Sequence, residues 1–321
     1  MKILITGSAG FVGFSIAKIF LNKGFKVIGI DNFDPYYSVK LKKLRNSHLL
    51  NYKNYFFINI DIKNKSLLNK KISKLKVDYL FHFAAQPGVR YSFVYPQKYL
   101  DVNVKGFVNI IECINKSVLK KIIYASSSSV YGDQKFFPTL ESANLNAKNP
   151  YGTTKIINEN LASIYSKILN ISFVGLRFFS LYGEWGRPDM FIIKLLDSIS
   201  KDKIFYLNKS GDHYRDFTYI KDVQKICEKL IKIREIKNKN LIFNVCSSHY
   251  TNIKKLSKNI KSLFPYAKIL NTKSNDADVH KTFGNNDKIK KYLKIKKFTK
   301  IEVGLKKTIS WFLFYKIRKY L

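Results

Sequence analysis

The sequence predicts an α/β fold: a doubly wound parallel sheet with a smaller, interleaved α/β unit. Three observations carry that expectation. An apolar run from Ile3 to Ile5 leads directly into Thr6-Gly7-Ser8-Ala9-Gly10-Phe11-Val12-Gly13. Strand-like and helix-like segments then alternate as far as Tyr182, which favours parallel strands joined by helices. Beyond Tyr182 the alternation loosens into Gly183-Glu184-Trp185-Gly186-Arg187-Pro188 and then mixed short elements.

Each element follows from its local pattern. Lys2–Thr6 reads as a buried strand. Phe11–Leu21 reads as a helix, with Phe11, Ile16, Ile19 and Phe20 apolar and Gly24 placed to end it. Lys26–Asp31 is the second strand. Tyr55–Asn59, Tyr79–Phe83, Lys121–Ser126 and Ser172–Phe178 are the next four. Gln97–Ile114 and Tyr151–Leu169 read as the principal later helices. Each crossover is long enough for a right-handed connection. A helix from about Met190 to Ser200 and short strands at Ile204–Leu207 and Ile242–Val245 follow. The expected boundary puts residues 1–182 in the sheet domain, completed by later segments at roughly 215–248. Residues 183–321 mainly form the second unit, expected to be a substrate-binding lid.

The glycine turn is a phosphate cradle in its chemistry. Gly7 permits the tight turn, Gly10 lets backbone approach a pyrophosphate, and Gly13 lets helix and strand pack closely. The helix N-terminus then aims free N–H groups at the anion. Asp31 ends the second strand, where an acid is expected to bind the adenosine ribose hydroxyls. Its charge repels a 2′-phosphate, so NAD is expected rather than NADP. The plainer alternative is a βαβ unit with no ligand. With the cradle and Asp31 in place, the fold expectation becomes a Rossmann-type sheet.

The chain has 321 residues, 46% of them hydrophobic, and a formal net charge of +36. No uninterrupted apolar stretch of about 18 residues occurs, so no membrane insertion is expected. The first apolar run is broken by Gly7 and belongs to a strand rather than a leader. Cys113, Cys227 and Cys246 are far apart and match no metal spacing; they read as reduced thiols of a cytoplasmic protein. The charge invites a nucleic-acid reading. Yet residues 101–200 carry only 11 Lys/Arg against 8 Asp/Glu, and the excess elsewhere is scattered lysine. No specific nucleic-acid partner is expected. The basic, aromatic end Trp311–Leu321 admits two readings, a membrane-surface helix or a final helix packed on the lid.

Tyr151 and Lys155 lie at i and i+4, on one helical face. An ammonium beside a phenol lowers the phenol pKa, and a phenolate is a competent general base. The preceding strand ends in Ser126-Ser127-Ser128-Ser129. Ligands of open α/β sheets bind at such carboxyl ends, so a serine hydroxyl there can reach the same oxygen as Tyr151.

These residues resemble the extended short-chain dehydrogenase/reductase family, within it the NAD-dependent epimerases and dehydratases, and most closely UDP-glucuronate 4-epimerases. The resemblance rests on the cradle, the serine run before Val130-Tyr131-Gly132, the Tyr151/Lys155 pair and several longer strings. Those strings are Asp31–Tyr37, His82–Ser92, Arg177–Gly183, Trp185–Met190 and Arg215–Ile220. It implies Ser127, Tyr151 and Lys155 as catalytic residues. It implies cofactor contacts from Gly7, Ala9, Gly10, Phe11, Val12, Gly13, Asp31, Asn32, Asp61, Ile62, Phe83, Ala84, Ala85 and Gln86, with Lys155 also on the nicotinamide ribose. Arg90, Ser127, Ser128, Ser180, Arg187, Arg215 and Asp278 are the implied sugar, phosphate and uridine contacts. No metal is implied.

The reaction so implied is oxidation at sugar C4, rotation of the 4-keto sugar and re-reduction on the other face, with a UDP-sugar as substrate. A uronic acid adds a hazard, because its 4-keto form is a β-keto acid that loses CO₂ in the wrong geometry. Ser180 stands where UDP-glucose epimerases carry Asn, and Ser127-Ser128-Ser129 contains no acid for further proton chemistry. Pro87 departs from the Ala of many relatives, and Asn275–Thr282 is less typical. A UDP-glucose or UDP-N-acetylhexosamine epimerase, a dehydratase or a decarboxylase therefore stay open. So does a non-catalytic NAD-sensing or nucleic-acid-binding protein on the same scaffold. The resemblance also implies a homodimer, through Gln97–Ile114 and Tyr151–Leu169, and a role in making a surface polysaccharide.

Overall fold

The structure, a computed structural model, describes residues 1–233, 239–272 and 279–317. Two units emerge from the pattern of contacts. The first comprises residues 1–132, 144–177 and 224–243, and the second residues 133–143, 178–223 and 244–321.

The first unit opens with β1 (Lys2–Thr6), α1 (Phe11–Asn22), β2 (Lys26–Asp31), α2 (Val39–Leu50), β3 (Tyr55–Asn59), α3 (Lys65–Ile72) and β4 (Tyr79–His82). Next come α4 (Val89–Val94), α5 (Pro96–Tyr99), α6 (Gly106–Cys113), β5 (Lys121–Ser127), α7 (Pro150–Ile168) and β6 (Ser172–Phe178). The predicted helix Gln97–Ile114 is present, but a π turn over Leu100–Lys105 separates α5 from α6. Chain order continues with β7 (Ser180–Tyr182), α8 (Phe191–Ser200), β8 (Phe205–Asn208), β9 (Tyr214–Tyr219), α9 (Ile220–Leu230) and β10 (Asn240–Val245). It closes with β11 (Tyr250–Asn252), α10 (Ile253–Leu263), β12 (Ile269–Thr272), α11 (Asp287–Leu293) and α12 (Ile301–Ile317).

Seven strands form one sheet in the order β10-β6-β5-β4-β1-β2-β3. β1 pairs in parallel with both β2 and β4, with Thr6 opposite Ile30 on one side and His82 on the other. The chain thus winds outward from β1 to β3, then crosses back to β4. That reversal opens a crevice at the carboxyl ends of β1 and β4, the place where ligands enter such sheets. Continuous apolar runs fill the strands because both faces are covered; Ile3, Leu4 and Ile5 are fully buried. Leu4, Ile30, Leu80, Ile110 and Phe173 belong to one core cluster.

The second unit contains a three-stranded sheet, β11-β9-β7, and a two-stranded one, β12-β8. Trp185 stacks against Trp311 and Tyr315 of α12, with ring centroids 5.4 and 4.6 Å away. Of the two readings of the C-terminal aromatics, packing within the second unit holds for Trp311 and Tyr315. Residues 318–321 lie outside the described residues. Among the described residues no helix is long and apolar enough to cross a membrane.

Candidate active site

The site of the first unit is built on strand ends. β1 runs into the glycine turn, where Gly7 has φ +71° and backs onto the next strand's exit. A Cβ on Gly7 would lie 2.7 Å from the Ala84 nitrogen, and one on Gly13 would lie 2.0 Å from the Gly7 carbonyl oxygen. Only glycine fits at either place. Gly10 N-caps α1 without a side-chain bond, so the first-turn amides are left to meet an anion. Asp31 is buried and braces this turn: its carboxylate accepts from the Ala9 amide at 3.0 Å and the Phe33 amide at 2.8 Å. Burial pushes its pKa up. From behind, the fully buried Arg45 donates to the Ala9 carbonyl at 3.0 Å.

At the end of β1 the Thr6 hydroxyl bonds the Nδ1 of His82 on the adjacent β4 at 2.8 Å and accepts from the Ala84 amide at 3.3 Å. Burial first, then the nearby Lys155 charge, push the His82 pKa down to about 3, so the ring is neutral at physiological pH. Phe83, Ala84 and Ala85 are half-buried and Gln86 is buried. The Gln86 amide donates to Asn103 Oδ1 at 2.7 Å, and Asn103 Nδ2 donates to the Gln86 carbonyl at 3.2 Å. Asn103 Nδ2 also donates to the Thr154 hydroxyl at 3.1 Å, which donates to the Tyr151 carbonyl at 2.7 Å. Asn103 lies in the π turn, and its side chain ties the exit of β4 to the start of α7. Gln86 Nε2 is buried without a hydrogen-bond partner. A buried orphan donor beside a glycine cradle suits a bound dinucleotide. At the rim, Asn32 Nδ2 donates to Asp61 at 3.1 Å, and Ile62 is buried.

β5 ends at Ser127, whose hydroxyl caps the following 3₁₀ turn by accepting from the Ser129 amide at 3.1 Å. It also donates to the Ser129 hydroxyl at 3.1 Å. α7 starts at Pro150 with Asn149 as N-cap, accepting from the Gly152 amide at 2.8 Å. Proline at the first helical position and asparagine before it both favour that start. Tyr151 is half-buried and Lys155 is 3% exposed. The Lys155 ammonium donates to the Ala125 carbonyl at 3.0 Å and lies 5.8 Å from the Tyr151 ring centroid. Burial pushes its pKa down to about 8, against the opposing pull of Glu159. Glu159 is buried too, accepting from Ser126 at 2.5 Å and from both ends of the Arg177 fork at 2.8 and 2.7 Å. Arg177 in turn donates to the Tyr131 hydroxyl at 2.8 Å.

The chemistry available is proton transfer at a hydroxyl. A phenol beside a poorly hydrated ammonium can take and return a proton, and Ser127 at the end of β5 is a further hydroxyl in the same unit. The structure brings Ser127, Tyr151, Lys155 and the β1 and β4 loops into the first unit. Arg90 is exposed there.

The second unit carries the other expected contacts. Ser180 begins β7, opposite Phe217 of β9, and is half-buried. Arg187 grips Asp189 with both arms, at 3.0 and 2.6 Å. Arg215 donates through Nη1 to the carbonyls of Tyr214 and His280, at 2.9 and 3.2 Å. Asp216 is fully buried, accepting from the Ser247 amide and hydroxyl at 2.7 Å each. Burial pushes its pKa up to about 7. Asn275 and Asp278 lie outside the described residues.

Sequence reasoning missed Thr6, Asn103 and Glu159. Glu159 had a readable signal, since it sits four residues beyond Lys155 on the same face. Asn103 had none, because its partners lie 17 and 51 positions away.

Known proteins fit this arrangement. The model of the NAD dependent epimerase/dehydratase family matches residues 3–246. The chain is 34% identical to Protein CapI of Staphylococcus aureus, over 98% of this chain and 99% of that protein. It is 34% identical to UDP-glucuronate 4-epimerase 4 of Arabidopsis thaliana, over 98% of this chain and 76% of that one. The solved UDP-glucuronic acid 4-epimerase of Bacillus cereus, in complex with UDP-glucuronic acid and NAD, matches with a TM-score of 0.87 at 29% identity. That match covers 98% of this chain and 99% of the other. UDP-glucose 4-epimerase of Thermotoga maritima, with UDP-glucose, matches with a TM-score of 0.88 at 25% identity over 98% and 100%. With the cradle, the Tyr151/Lys155 helix and similarity nearly from end to end, the chain belongs to the NAD dependent epimerase/dehydratase family.

Proposed function

We propose that this chain is a UDP-glucuronate 4-epimerase, interconverting UDP-glucuronate and UDP-galacturonate with NAD held in the first unit. The carrying observation is the hydroxyl-only turn Ser127-Ser128-Ser129 beside the Tyr151/Lys155 helix. It offers groups to hold a sugar oxygen and a carboxylate, and no acid to drive elimination. The named relatives supply the sugar.

When bound, NAD supplies reversible hydride acceptance from sugar C4. Gly7 to Gly13 take the pyrophosphate on backbone amides, and Asp31 and Asn32 take the adenosine ribose. Asp61 and Ile62 flank the adenine. Phe83 to Gln86 line the cofactor side. Tyr151 removes the C4 hydroxyl proton and later returns it to the same oxygen. The Lys155 ammonium stabilises the phenolate between those two events. Ser127 donates to the C4 oxygen and holds it against the phenol. The keto sugar turns about its diphosphate between the two events. Ser128 and Ser180 hold the carboxylate out of the perpendicular geometry that releases CO₂. Arg187, Arg215 and Arg90 neutralise phosphate, and Asp278 takes the uridine ribose. The second unit carries substrate-binding residues.

The protein acts as a cytoplasmic homodimer making a precursor for a polysaccharide. Ile164 and Ile168, 55% and 70% exposed on one face of α7, support a second copy as the partner. The test is incubation of the purified protein with UDP-glucuronate, with products separated by chromatography and mass. UDP-galacturonate at unchanged mass, lost in Tyr151→Phe, is the expected outcome. A product lighter by CO₂ makes it a decarboxylase. Turnover of neutral UDP-hexoses alone removes the carboxylate role from Ser180.

A further inference from the structure

Tyr99 closes α5, immediately before the π turn, and is fully buried. Its single hydroxyl proton is shared between two consecutive carbonyls of the β4 exit loop, Pro87 at 2.6 Å and Gly88 at 2.5 Å. Its ring meets the Tyr151 ring edge-on, with centroids 6.1 Å apart. The loop it grips is tightly determined elsewhere. Gly88 has φ +96°, and a Cβ there would lie 2.2 Å from the Tyr36 hydroxyl. Pro87 has no N–H to donate, so its carbonyl is its one backbone handle.

We propose that Tyr99 is a positioning residue that sets the gap between the cofactor-side loop and the Tyr151 phenol. One side chain touches both walls: the hydroxyl holds the loop and the ring backs the base. Asn103, on the next turn, bonds the same loop at Gln86 and reaches α7 through the Thr154 hydroxyl. Tyr99 contacts the proposed base through its ring while its polar atom fixes the loop. The inference rests on the epimerase reading for its effect on turnover. Its effect on cofactor retention stands without that reading.

The test is Tyr99→Phe, which keeps the ring and removes the hydroxyl. The two part-buried carbonyls then lose the one O–H they share, an effect worth about tenfold in an equilibrium. Expected are about tenfold faster release of bound NAD, followed by fluorescence, and about tenfold lower kcat with NAD saturating. KM for the UDP-sugar stays within about twofold. Tyr95→Phe, on the exposed neighbouring ring, leaves NAD release unchanged. Wild-type NAD release in Tyr99→Phe overturns the inference. So does a loss of kcat that only matches a loss of folded protein by thermal melting. Faster NAD release in a chain that epimerises no UDP-sugar upholds Tyr99 and overturns the epimerase reading.

Discussion

Replacing Lys155 with Met is expected to make the cofactor-free protein more stable and the enzyme inactive. Lys155 is buried to 3% exposure, and burial holds its pKa at about 8 against the 10.5 of a free lysine. That gap corresponds to about 3 kcal/mol against folding wherever the ammonium is kept. Removing the ammonium also removes its bond to the Ala125 carbonyl, which returns about 1.5 kcal/mol of instability. The net gain at pH 7 is about 1–2 kcal/mol. The sign follows from linkage. The folded pKa lies below the unfolded one, so the penalty is complete below about 8. It disappears as pH climbs from there toward 10.5. The assay is urea unfolding of both proteins, stripped of NAD because bound ligand stabilises the folded state, at pH 7 and pH 10. Epimerisation is expected to fall by about 10²–10⁴-fold, as for loss of a group that supports a general base. A lower urea midpoint for Lys155→Met at pH 7, or a gain that does not shrink toward pH 10, refutes the reasoning.

Gly13→Ala forces a methyl to 2.0 Å from the Gly7 carbonyl. It should cost about 1–3 kcal/mol and leave the purified protein without NAD, read as the 260 nm absorbance carried by the protein. The double substitution Ile164→Glu and Ile168→Glu on α7 should give a monomer by sedimentation, with the thermal midpoint of the fold little changed. Asp216 titrates in the folded protein near pH 7, against 3.8 for a free aspartate. Its contribution to stability is present below about pH 4 and lost as pH rises through 7, by about 4 kcal/mol. The advantage of wild type over Asp216→Asn should therefore be greatest near pH 4 and shrink toward pH 8. Parallel melting curves across that range contradict the assignment.

The local parts of this protein were legible in the sequence. Periodicity places β1, α1 and β2 where they are found, because a strand or helix depends on residues a few positions apart. The glycine cradle is legible for the same reason: three glycines in seven residues carry their own geometry. Tyr151 and Lys155 share a face by spacing alone. Tertiary structure decided the rest. The sheet order, with β4 crossing back beside β1, opens the crevice at Gly7 and Ala84, and no local pattern specifies it. The depressed pKa of Lys155 and the raised one of Asp216 come from burial, which depends on what packs around a group rather than on its neighbours in the chain. The ties of Asn103 to Gln86 and Thr154, and of Tyr99 to Pro87, Gly88 and Tyr151, join segments brought together only by folding. Sequence spacing determines which chemical groups share an element. Long-range packing determines which of them lose water and meet, and that sets their reactivity.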